Sequence, residues 1–244
     1  MKIEVILTPS ELPALAKRDL RETVCVVFDV LRATSTFVTA LRNGAKAIIP
    51  VSKISEALAI KKKQPEVLLG GERHGVKIRA DGIDFDLGNS PREYAREKVA
   101  GKTIVSTTTN GTRALRAGVG AKMILAASFL NLSATAKFLQ KESAANILLV
   151  CAGTRENAAL EDILAAGALV GLLGEQNELS DSARLALHAY ANAKSNLNDA
   201  IFDSENARRV RSIPELFGDV EFCLQRDIFN FIAALGNDGV LRRI

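Results

Sequence analysis

The chain has 244 residues and a mass of 26.2 kDa, with 48% apolar and 25% charged residues. That is the balance of a globular protein able to bury a sizeable core, as one large domain or two small ones sharing an interface. The net charge is +4 and the pI near 9.0, but Lys and Arg are interleaved with Asp and Glu, and no Trp and only two Tyr are present to stack bases, so a nucleic-acid partner is disfavoured.

The amino-terminal stretch MKIEVILTPSEL lacks the apolar core of a signal peptide, and no apolar run approaches the ~20 residues that span a bilayer. Cys25, Cys151 and Cys223 are odd in number, and the first two sit in apolar runs, as reduced thiols behaving as small hydrophobes do. A cytoplasmic protein with no membrane partner is expected, and a homo-oligomer is compatible with the sequence.

In chain order, the β-branched runs KIEVIL, VCVVFDV, AKAIIPV, EVLLGG, KTIVSTT, KMILAA and NILLVCAG alternate with polar or helix-compatible stretches. This is the pattern of βα units. Several runs are continuously apolar, as in strands covered on both faces. The expected fold is α/β, a layered α/β/α arrangement on a mostly parallel sheet. After about Arg155 the apolar positions recur at helical spacing, in LEDILAAGALVGLLG, SDSARLALHAYANA and DSENARRVRSI, so the last third is expected to be mainly helical, with Ser180 and Asp181 starting one helix. A division into residues 1–126 and 127–244 is the natural place for a boundary if there is one, although no linker marks it. Residues 70–91 carry little helical signal and many polar groups, and a stretch of that length in a compact domain favours function.

Four polar clusters each follow an apolar run. They are DVLRATST with Asp29, Arg32, Thr34 and Ser35; GGER with Glu72 and Arg73; TTTNGTR with Thr108, Thr109, Asn110 and Arg113; and CAGTR with Thr154 and Arg155. In an open parallel sheet such loops share one edge, where ligands bind. Four arginines with hydroxyl and backbone donors make a cradle for a multiply charged anion. Asp29, Glu72 and Asp86 add carboxylates of the kind that hold Mg²⁺. With His74 and His188 the only histidines, a zinc site has little material.

Plainer readings compete. Asp29 with Thr34 is also a helix N-cap, Asn110-Gly111 a simple turn, and Glu72 with Arg73 a solvated pair. Glu161 and Asp162 suit a helix start whatever their function. Cys151 is better read as core than as a nucleophile, and Asp227 as either a paired core acid or part of the site.

Taken together, DVLRATST, GGER, FDLGNSP, GKTIVSTTTNGTRAL, VCAGTR and LEDILAAGALV resemble, in order, the motifs of the 2-phosphosulfolactate phosphatases, from about Lys2 to Arg243. The resemblance implies an α/β/α phosphoric monoester hydrolase that uses Mg²⁺ to convert 2-phospho-3-sulfolactate to 3-sulfolactate and phosphate, a step toward coenzyme M in some organisms. By matching motif it makes Asp29, Arg32, Glu72, Arg73, Asp86, Asn110, Arg113 and Arg155 the site candidates. The chain departs from the family pattern at His74, which stands where a second Gly follows GER, in a longer link over 79–84, and at Glu156, Asn157 and Ala158.

Asp29 ends its strand like the nucleophile of an aspartyl-phosphate enzyme, but a second Asp two residues on is replaced by Leu31, which favours direct attack by water. In that mechanism Asp29, Glu72 and Asp86 hold Mg²⁺ and the arginines neutralise charge. A phosphatase of another small anionic phospho-hydroxy acid and a non-catalytic anion-binding protein remain the alternatives.

Overall fold

The computed structural model describes all residues of the chain except Asp81, Ser143 and Glu175. All seven apolar runs form strands: β1 (Lys2–Ile6), β2 (Thr23–Phe28), β3 (Ala47–Pro50), β4 (Leu68–Arg73), β8 (Thr103–Thr107), β9 (Met123–Ala127) and β10 (Asn146–Cys151). Four two-residue strands, β5 (Val76–Lys77), β6 (Arg79–Ala80), β7 (Ile83–Asp84) and β11 (Glu178–Leu179), and two near the carboxyl terminus, β12 (Ala233–Leu235) and β13 (Leu241–Arg243), complete the set.

The main sheet has the order β11-β1-β10-β2-β9-β12-β13-β3-β8-β4-β5. Within it, β11-β1-β10-β2-β9 pair in parallel, as do β3-β8-β4. The β12–β13 hairpin lies between these two blocks and is antiparallel to both neighbours, pairing along β9 and meeting β3 through Leu241 and Ile48. The blocks therefore run in opposite senses through the pairing. Their carboxyl ends nevertheless meet, because segments following β2 and β10 and segments following β4 and β8 line one cleft.

This arrangement corrects one expectation. The functional loops do not line one edge of a single parallel sheet; they come from two blocks and meet between them. The division at 126/127 does not follow the blocks, because β10 lies between β1 and β2 while β3, β8 and β4 stand together on the far side of the hairpin.

Why β2 and β10 are continuously apolar is visible in the packing. Val24, Val26 and Phe28 face one core together with Ile147, Leu149 and Cys151, whereas Cys25 and Val27 face a second core with Leu148 and Val150. Alternate side chains of a strand point to opposite faces, so a strand covered on both sides has no position for a polar residue. The first core also takes in helices Leu132–Glu142, Leu160–Leu173 and Asp181–Ala193, and the second takes in Ala33–Arg42 and Gly111–Ala117. A smaller core packs helix Ile54–Lys63 on the three-stranded block.

The carboxyl-terminal third is mainly helical, as expected, and Ser180 caps its helix by accepting the Ala183 N–H. Its final residues, however, return to the middle of the sheet as the hairpin. All three cysteines are free and buried, and among the described residues no helix is long and apolar enough to cross a membrane.

Leu241, fully buried in the second core, fills the seam between the blocks. Leu241→Ala should destabilise the protein by about 2–5 kcal/mol, read as a fall in the denaturation midpoint with the slope unchanged. An unaltered midpoint would show that the seam contributes little.

Candidate active site

Between the carboxyl ends of the two blocks lies a cleft of about 120 Å³. Its walls come from all four polar clusters and from two further segments. From β2 comes Asp29. Its backbone N–H donates to Thr34 Oγ1 at 3.0 Å and its Oδ1 accepts the Ala33 N–H at 3.0 Å, so acid and hydroxyl close the first turn of Ala33–Arg42 between them. Asp29 supports the helix start without being its N-cap, which is Arg32, and its Oδ2 makes no hydrogen bond among the described residues. Thr34 and Ser35 do not reach the cleft: both are fully buried, and Ser35 Oγ donates to the Val30 carbonyl at 2.8 Å.

On β4, Glu72 and Arg73 point opposite ways, as strand neighbours must. Glu72 lines the cleft, its Oε1 accepting the Thr109 N–H at 2.7 Å and its Oε2 the Gly75 N–H at 2.8 Å. Arg73 turns away, donating to the Thr107 carbonyl and, at 2.9 Å, to Thr107 Oγ1. Thr108 also turns inward, its Oγ1 accepting the Thr112 N–H at 3.1 Å.

Thr109 and Asn110 do line the cleft. Asn110 Nδ2 donates to the carbonyls of Ala152 and Arg155, both at 2.8 Å, which ties the loop after β8 to the loop after β10. Gly111 packs so closely that a Cβ there would lie 2.6 Å from Asp29 Oδ2 and 2.5 Å from the Ala33 Cβ, which only glycine tolerates. Thr154 and Arg155 line the mouth, in a turn closed by reciprocal backbone hydrogen bonds between Thr154 and Asn157. Arg113 stays outside, bound to the exposed Glu156 at 2.5 Å.

Arg32 forms part of the floor and is 3% exposed; it donates to Asp219 Oδ2 at 2.8 Å and to the Gly75 carbonyl at 2.9 Å. Asp86 is not part of the cleft: its carboxylate is exposed and accepts the Leu69 N–H at 2.7 Å, which removes it from the metal set. Asp227 caps Ser133, also away from the cleft. Asp162 and Glu161 support the site from behind. Asp162 accepts the N–H groups of Val30 and Gly153, and Glu161 accepts from Ser204 and Asn206.

Sequence reading missed His74, Asn89 and Arg209 among the lining residues. His74 and Asn89 lie within the 70–91 stretch already marked as functional. Arg209, in a run of arginines on a helix, carried no signal to separate it from a solvated face.

The electrostatics centre on buried acid. Burial pushes the Asp29 carboxyl up to about 7; the Ala33 N–H opposes this, while the nearby charges of Glu72 and Glu161 add to it. Asp162 and Glu161 are raised too, in each case chiefly by burial. Two carboxylates that repel one another across one cleft, Asp29 with an oxygen that makes no hydrogen bond among the described residues, suit a hard divalent cation. Among the described residues no three His, Cys, Asp or Glu side chains are grouped to hold an ion. Mg²⁺, which keeps its waters and binds one or two carboxylates plus a phosphate, fits that donor set.

Two outcomes follow. Asp219→Ala leaves Arg32 buried without its counter-charge and should cost about 3–5 kcal/mol in a denaturant titration, whereas a loss within error would mean that Arg32 is solvated. For the chelated protein the folded state holds protons on Asp29 that the unfolded state releases above about pH 4. Stability should therefore fall as pH rises from about 4 through about 7. In thermal melts Asp29→Asn should flatten that slope, and an unchanged slope would exclude Asp29 as its source.

The family model described as 2-phosphosulpholactate phosphatase matches residues 7–238. A probable 2-phosphosulfolactate phosphatase of Thermotoga petrophila is 48% identical over 212 residues, covering 87% of this chain and 88% of that protein. Proteins of the same name from Caldicellulosiruptor saccharolyticus and Clostridium perfringens are 41% and 37% identical, over 95% and 97% of this chain and 97% and 94% of theirs. With a match of that extent, and with the motifs lining one cleft, the chain belongs to the 2-phosphosulfolactate phosphatase family.

Proposed function

We propose that this protein is a phosphoric monoester hydrolase that converts 2-phospho-3-sulfolactate to 3-sulfolactate and phosphate with Mg²⁺. The observation that carries the reading is the pairing, in one cleft, of the carboxylates Asp29 and Glu72 with Arg155 and Arg209, neither of which has an ion-pair partner among the described residues. Acids beside unpaired guanidiniums suit a cation–phosphoester complex, and the names of the relatives supply the ester.

Asp29 and Glu72 would hold Mg²⁺, which supplies positive charge to the phosphoryl oxygens. The chain's own groups do the rest. Arg155, at the mouth, draws the anion in and neutralises charge on the transferring group. Asn110 and Asp162 fix the loops that carry it, and the two backbone N–H groups bound to Glu72 hold that carboxylate in one orientation. Water attacks phosphorus, the ester P–O bond breaks, and the leaving alkoxide oxygen ends protonated as the alcohol. Leu31 lines the cleft where an aspartyl-phosphate enzyme has its second acid. Cys151 is no nucleophile: it is fully buried and its thiol is held protonated, chiefly by burial and then by the charge of Asp162. A cytoplasmic location is part of the proposal, supported by three free, buried thiols.

Phosphate release from phosphosulfolactate should require added Mg²⁺ and cease with chelator; release that ignores both would defeat the metal assignment, and no release from this or related phosphoesters would defeat the enzyme reading. Glu72→Gln should lower turnover by at least about a hundredfold, as for loss of a transition-state contact, with a smaller effect on substrate binding. Equal losses in the two would place Glu72 in ground-state binding.

A further inference from the structure

Arg209 belongs to helix Glu205–Arg211, which begins at Ser204, whose Oγ accepts the Ala207 N–H and donates to Glu161. One turn before Arg209, Asn206 works as a relay. Its Nδ2 donates to Glu161 Oε1 at 2.6 Å and to the Leu31 carbonyl at 2.9 Å, and its Oδ1 accepts from Arg209 Nη2 at 2.5 Å. A buried acid on one helix thus fixes one corner of a guanidinium that lines the cleft.

The rest of that guanidinium is uncommitted. Arg209 Nε is buried and, among the described residues, has no hydrogen-bond partner. The side chain makes no ion pair among those residues either, in contrast to Arg32, which Asp219 neutralises. Both arginines flank Gly75: a Cβ there would lie 3.1 Å from Arg209 Nη1 and 4.0 Å from Arg32 Nη2. On the same cleft, Asn89 Oδ1 is also buried without a partner among the described residues. Of the four such atoms among the described residues, two belong to residues that line this cleft, as fits a place where a ligand or water supplies the missing partner.

Arg155 and Arg209, which have no ion pair among the described residues, divide between the two ends of such a ligand. The reacting phosphoryl must sit by Asp29 and Glu72, with Arg155 at the mouth. Arg209 enters from a different element, with Nη1 beside Gly75, and is the guanidinium left for the ligand's non-reacting part. We propose that Arg209, set by Asn206 and backed by Arg32 across Gly75, binds the substrate's second anionic group, a carboxylate or sulfonate, and so selects polyanionic esters over simple phosphate monoesters. This rests on the phosphoester reading of the cleft.

Binding of 3-sulfolactate, lactate and inorganic phosphate, measured by calorimetry with Mg²⁺ present, tests it in wild type, Arg209→Gln and Arg209→Lys, each with its thermal midpoint recorded. Arg209→Gln should weaken 3-sulfolactate about tenfold to a hundredfold, the size of one or two charge-assisted hydrogen bonds, and inorganic phosphate less than about threefold. Arg209→Lys should fall between, keeping the charge without the planar donors. Loss on 3-sulfolactate alone identifies the sulfonate, and equal loss on lactate identifies the carboxylate. The proposal is overturned if wild type binds no 3-sulfolactate, if Arg209→Gln binds it as well as wild type, or if phosphate is lost as strongly. Phosphate release by wild type, assayed alongside, keeps the two readings apart: turnover with unaltered 3-sulfolactate binding sinks only this inference, and the reverse sinks only the phosphatase reading.

Discussion

A carboxylate that accepts backbone N–H groups from two different loops fixes both at once, and two such carboxylates hold the walls of the cleft. Glu72 joins its own hairpin to the loop after β8, and Asp162 joins the loop after β2 to the loop after β10. Asp29 closes the first turn of its own helix. Each such bond is stronger than one between neutral groups. Burying so many like charges is unfavourable unless protons, N–H dipoles or cations compensate, and around Asp29 the Ala33 N–H and the Arg32 guanidinium do so.

Each of those acids bonds within one block, so it is side-chain donors that join the loops of the two oppositely running blocks. Asn110, in the loop after β8 of the three-stranded block, donates to the carbonyls of Ala152 and Arg155 in the loop after β10 of the five-stranded block. No shared sheet edge aligns them, so side-chain-to-backbone bonds must. Arg32 carries this furthest, linking the helix after β2 to the β4–β5 turn and to Asp219 near the carboxyl terminus.

Much of this was legible in the residues. A strand buried on both faces has to be apolar throughout, so β2 and β10 announced themselves, and polar clusters at their ends marked the cleft. What the sequence does not encode locally is which way a side chain points. Glu72 and Arg73 are one residue apart and face opposite sides; Thr108 and Thr109 divide in the same manner. Two of the four expected arginines therefore left the site, while Arg209 joined it from a segment whose charges looked solvated. The hairpin at β12 and β13 was hidden because its strands are only three residues long, too short for periodicity to register.

That hairpin has a consequence during synthesis. β9 and β3 both leave the ribosome long before residues 233–243, yet each depends on those residues for its neighbour on one side. Until then the nascent chain presents two open strand edges, which are templates for pairing with other chains. Chaperone engagement, or delayed closure of the two halves, is the cost of stitching a sheet with its most distal thread.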